Sequence, residues 1–127
     1  MIIEQAIVTY LNSQLTAIKV YPLRLPENPT YPAITYQRIS TSRVQSHSGP
    51  SGLAFPRFQF TIYGTDYLTV KQTEALLRQA LDGYVGTMGG DSGVPVGSSL
   101  SQDDRDFYDP STRIWRVSID FIIGHEE

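Results

Sequence analysis

Along residues 113–124, R-I-W-R-V-S-I-D-F-I-I-G, large apolar side chains fall at Trp115, Val117, Ile119 and Phe121, with Arg116, Ser118 and Asp120 between them. Strict alternation is the period of a strand with one buried and one wet face. A slip of one residue would expose the tryptophan and phenylalanine and bury an arginine and an aspartate, so the register is well specified. Residues 57–63, R-F-Q-F-T-I-Y, alternate in the same way and turn Phe58, Phe60 and Ile62 inward. Ala33 to Thr41 is rich in β-branched and aromatic residues and predicts a further strand.

Two stretches have the helical period instead. Ile3, Ile7, Tyr10 and Leu11 form one apolar stripe over residues 2–13. A second helix is expected from an N-cap at Thr65 or Asp66 to about Leu81, with Val70, Leu77, Ala80 and Leu81 inward, an outward Glu74–Arg78 pair, and Gly83 just past its end. Between the elements, prolines 22, 26, 29 and 32 forbid a helix or a central strand, so residues 20–32 read as a surface connector. Residues 42–56 are poor in apolar side chains, hold two glycines and two prolines, and read as a long mobile loop. Residues 85–96 suggest two short strands about a Gly-rich turn, and Asp109-Pro110-Ser111-Thr112 a turn joining an acidic edge strand to the 113–124 strand. The predicted fold is α+β: one domain, 1–127, with a twisted antiparallel sheet of four to five strands and two helices packed on one face.

Composition narrows the function. A net charge of −3 argues against general nucleic-acid or anionic-membrane binding. No apolar run approaches the roughly 20 residues of a membrane helix, and M-I-I-E-Q-A-I lacks the basic start of a signal peptide, so intracellular synthesis is expected. With no cysteine there is neither a disulfide framework nor a thiolate nucleophile. The glycines at 86, 89, 90 and 93 fit neither phosphate-loop spacing. Asp103, Asp104, Asp106 and Asp109 crowd around Arg105 without calcium-loop spacing, His47 has no partner at ligand spacing, and no G-x-S-x-G occurs. The expectation is no enzyme, no metal and no cofactor.

Read as a concatenation, the chain resembles a known family. Y-P-L-R-L-P (21–26), Y-P-A-I-T-Y-Q-R-I-S (31–40), S-G-P-S-G-L-A (48–54), a strand ending in Tyr63-Gly64, A-L-D-G-Y-V-G-T-M-G-G (80–90), D-D-R-D-F-Y-D-P (103–110) and R-V-S-I-D-F (116–121) follow one another as in the tail-completion proteins of long-tailed bacteriophages, also called tail terminators or head-to-tail joining proteins. The resemblance implies a non-enzymatic virion protein, made in the host cytoplasm. It would assemble as a homo-oligomeric ring of about six subunits at the head-proximal end of the tail tube, through heterologous contacts. Its implied partners are the tail tube protein, the head–tail connector or neck protein, and double-stranded DNA that passes through without specific binding.

On that basis an interface is expected from Arg43 to Phe55, including His47, and from charges on the wet sheet face: Arg38, Arg57, Arg116 and Asp120. The acidic run Asp103, Asp104 and Asp106 is expected to face the channel, where it would keep DNA from adhering. The rival reading is a small nucleic-acid-binding module stacking bases on sheet aromatics.

Overall fold

The computed structural model describes residues 1–46 and 49–127. The first stripe forms α1 (Ile3–Gln14), which buries Ile3, Ala6, Ile7 and Leu11. Three strands follow: β1 (Lys19–Pro22), β2 (Ala33–Ser46) and β3 (Gly49–Gly64). The second helix, α2 (Tyr67–Leu81), is capped by Asp66, whose Oδ2 accepts the Thr69 N–H at 3.2 Å and the Thr69 hydroxyl at 2.9 Å. Gly83, at φ +77°, takes the left-handed conformation that releases the chain from the helix. Then come β4 (Gly86–Met88), β5 (Val94–Asp109) and β6 (Ile114–Glu126).

The sheet has six strands in the order β1-β2-β3-β6-β5-β4, against the four to five expected, and it is mixed. β1 pairs parallel with the start of β2, Lys19 opposite Ala33 through Pro22 opposite Tyr36; every other neighbouring pair is antiparallel. The connector of the sequence reading thus donates an edge strand, the one sheet position where Pro22 costs no ladder bond.

Residues 42–56 are the second correction. Where described, they are strand: Ser42 lies opposite Phe55 and Arg43 opposite Ala54, in a hairpin that extends beyond the core. Pro56 has no N–H to give, and the β3–β6 ladder runs from Ala54–His125 to Arg57–Ile122 with Phe55 and Pro56 unpaired.

Cross-strand partners share a face. Ile34 opposes Ile62, Tyr36 opposes Phe60, Phe60 opposes Ile119, and Phe58 opposes Phe121. Both helices pack on this face, and Phe60 meets Phe121 edge-on at 5.8 Å. Each such fully buried phenylalanine is worth roughly 1.5–3 kcal/mol.

The opposite face carries Thr35, Gln37, Gln59, Thr61, Arg116, Ser118 and Asp120. No helix covers it, yet Thr35, Ser118 and Asp120 are only 4%, 6% and 4% exposed. The sheet curls into a half-barrel, with register shifts at Arg38/Ser40, Arg43/Gln45, Val96/Ser98 and Ser101/Asp104. Bulges of that kind sharpen twist and bend. The wet face of the sequence reading is therefore a half-enclosed polar groove.

Candidate interface

Side by side on this polar face, β3, β6 and β5 bring a charge row together. Arg57 donates from Nε to Asp120 Oδ2 at 2.9 Å and from Nη2 to Asp103 Oδ2 at 3.2 Å. Arg105 Nη2 stands 3.7 Å from Asp120 Oδ1. Asp120, expected in water, is buried; an isolated carboxylate there would be costly, and the two guanidiniums offset that cost. Arg116 lies on the same face but apart from this row, its guanidinium 5.2 Å over the Phe107 ring. It lines a groove of about 290 Å³ with Gln59, Thr61, Arg105 and Phe107.

Arg38 is not on the polar face, contrary to expectation. Its partner across the ladder is Phe58, so it points to the helix side. There it bonds Glu4 on α1 at 3.1 Å and Thr41 at 2.9 Å, and stacks 5.3 Å over Phe58. Arg43, on the same strand, grips Glu127 with two bonds of 2.8 and 2.9 Å. That fork holds the Glu127 carboxyl below its ordinary range and raises Arg43. The two β2 cations are thus tied to opposite chain ends.

The acidic run is split by the period of two. Asp103 takes the polar face with Arg57. Asp104 and Asp106 oppose Ile119 and Val117 and so lie on the helix side. Asp106 accepts the Tyr67 hydroxyl at 2.8 Å and Lys71 Nζ at 3.2 Å. The tyrosine bond, then the lysine, hold its carboxyl below the usual value. Lys71 also meets Glu74 at 3.2 Å. Burial lowers Lys71, but bonds to Glu74 and Asp106 outweigh it and leave it raised. Glu74 is 2% exposed, not outward, and lies between Lys71 and Arg78. Beside this clamp Trp115 is half-buried between Tyr67 at 5.0 Å and Tyr108 at 4.3 Å.

Phe55 turns outward over Gly124: a Cβ on Gly124 would stand 2.6 Å from both Phe55 Cε1 and Ser98 Oγ. The phenylalanine lines a recess of about 360 Å³ with Leu53, Pro95, Val96 and His125. His47 lies outside the described residues. His125 is 5% exposed in β6 opposite Val96, with Nδ1 2.8 Å from the Glu126 carbonyl. Among the described residues no three His, Asp or Glu gather as metal ligands.

The strand aromatics of the apolar rows do not form a base-stacking surface. Phe58, Phe60 and Phe121 are fully buried beneath the helices, and Trp115 is enclosed by tyrosines.

The sequence does not place the unmatched edges of the sheet. β1 covers β2 only through Tyr36. On the far side β4 covers β5 at Val94–Val96, and the α2 C-terminus adds Gly83 N–H to Ser99 O at 2.7 Å and Asp82 to Ser101 N–H at 3.0 Å. From Gln37 to Arg43 on β2, and from Gln102 to Asp109 on β5, no strand of the described residues pairs the outer edge. Only the length of β1 and β4 sets this, and no local pattern announces it.

Comparison with known proteins accords with this architecture. The family model described as "Tail completion protein gp17" matches residues 5–126. Among solved structures, a chain from the "Virion of native gene transfer agent (GTA) particle" superposes with a TM-score of 0.70 over 96% of this chain and 94% of its own, at 14% identity, which shows a shared fold. No curated protein sequence matches the chain.

Proposed function

The chain belongs to the tail completion protein gp17 family, and from that premise of a structural role in a phage-type tail we propose that it forms the ring that ends the tail tube. Residues 1–127 act as one domain. About six copies close head to tail around a channel, at the head-proximal end of the tube. The ring halts tube polymerisation, joins the tail to the head–tail connector or neck protein, and lets double-stranded DNA pass without specific binding. It performs no catalysis and holds no cofactor.

The observation that carries this reading is the family match over nearly the whole chain. The unlike sheet edges support it, since a heterologous interface needs two different patches on one subunit. The overall charge of −3 suits a channel that DNA slides through, because adhesion to phosphates requires net cationic contact.

The test is solution mass by light scattering with negative-stain imaging, across protein concentration and salt, repeated with purified tail tubes. A ring with an open centre, or tubes capped at one end, is expected. A chain that stays monomeric and leaves tubes uncapped would overturn the reading.

A further inference from the structure

The two unmatched edges differ in charge as well as place. The β1–β2 side, residues 19–24 and 33–43, carries Lys19, Arg24, Arg38 and Arg43 and no carboxylate. The open stretch of β5, residues 102–109, carries four aspartates against one arginine. Part of this charge is met within the subunit: Glu4 and Glu127 hold Arg38 and Arg43, while Arg57 and Lys71 hold Asp103 and Asp106. Among the described residues Lys19, Arg24 and Asp104 have no ion-pair partner, so a cationic and an anionic remainder stand at opposite ends of one sheet.

Resting on the ring reading above, we infer that the outer edge of β2 in one subunit, Gln37 to Arg43, pairs with the outer edge of β5, Gln102 to Asp109, in a second copy. Three points carry it. First, an open strand edge is a row of unpaired N–H and C=O groups, a template for another strand. Second, each step from β2 through β3 and β6 to β5 is antiparallel, so β2 and β5 run in opposite directions. Copies related by rotation about a ring axis along which the strands run therefore present them to each other as an antiparallel ladder.

Third, charge selects the unlike pairing. β5 against β5 would set aspartates against aspartates, and β2 against β2 arginines against arginines, each unfavourable across a ladder. Only β2 against β5 joins cation to anion. That bias disfavours a two-fold dimer and favours head-to-tail growth, which closes as a ring where the rotation between copies closes. Exposed Ile39 on β2 and Phe107 on β5 add apolar contact at the seam.

Because the chain has no cysteine, cross-linking reads this directly. Ser40→Cys or Ser42→Cys on β2 is combined with Gln102→Cys or Asp104→Cys on β5, all exposed positions. Under mild oxidation at least one of these double variants should run as covalent multimers, while single variants stay monomeric alone and form dimers only when a β2 variant is mixed with a β5 variant. Asp104→Lys should weaken association about tenfold at low salt, with a smaller effect at high salt. Rings that form without any β2–β5 cross-link, or single variants that cross-link to themselves, would overturn the edge pairing and leave the ring reading standing. Absence of any oligomer or capped tube from the unaltered chain would overturn both.

Discussion

Arg57 Nε lies 2.9 Å from Asp120 Oδ2, joining residues 63 apart in sequence across the β3–β6 pair. The carboxylate is almost wholly buried and the guanidinium partly exposed, so the two partners are not equivalent. Removing the cation leaves the buried carboxylate with only Arg105, 3.7 Å away, whereas neutralising the carboxylate leaves Arg57 with Asp103 and water. Arg57→Met is therefore expected to cost about 2–3 kcal/mol and Asp120→Asn about 1 kcal/mol. Urea denaturation of both, with the double variant, measures the difference; equal costs would place the burden elsewhere.

Acid should loosen α2 from β5. The Tyr67 hydroxyl, with Lys71, holds Asp106 below its ordinary value of 3.8. A depressed carboxyl stabilises the fold above its unfolded pKa and loses that contribution as pH falls through its folded one. Asp106→Asn should therefore lower the denaturation midpoint at neutral pH and flatten its decline below about pH 4. Tyr67→Phe should do the same in weaker form. A decline parallel to that of the parent would remove Asp106 from the acid response.

Glu74 tests the opposite side of the same clamp. It is 2% exposed between Lys71 at 3.2 Å and Arg78 at 3.9 Å. Desolvating a carboxylate cancels much of what its partners return, so Glu74→Leu is expected to be neutral or stabilising by about 1 kcal/mol. Thermal unfolding decides it. A loss above about 2 kcal/mol would mean that the ion pairs outweigh the desolvation.

Gly124 has room for no side chain, since an added Cβ would meet Phe55 and Ser98 at 2.6 Å. Gly124→Ala should destabilise by about 1–3 kcal/mol through overpacking. Phe55→Leu, which withdraws the ring, should recover part of that loss. Additive costs in the double variant would show that the clash lies with Ser98 or the backbone.

The apolar rows were legible from the chain alone. Phe58, Phe60, Ile62, Val117, Ile119 and Phe121 lie where alternation puts them, and α1 and α2 where the helical stripe and the Asp66 cap put them. The turn at Asp109 was legible too, its carboxylate accepting the Ser111 N–H at 3.0 Å and hydroxyl at 2.7 Å. Residues 42–56 were not. The hairpin there is held by backbone ladder bonds, which composition does not reveal, and its Ser, Gly and Pro content pointed to a loop.

The sequence by itself determined which positions seek the core, because the cost of exposing a large apolar side chain is local to that residue and repeats with the backbone period. Tertiary structure alone decided the fate of the polar positions. Alternation assigned Asp120 to water and the expected interface placed Arg38 on the wet face, but the curl of the sheet buried the first beside Arg57, and the second shares the helix face with Ile34 and Tyr36, where α1 offers it Glu4. A charge leaves water at tolerable cost only where a counter-charge meets it, and for Asp120 and Arg38 that partner comes from another strand or helix. No reading of neighbours along the chain contains it.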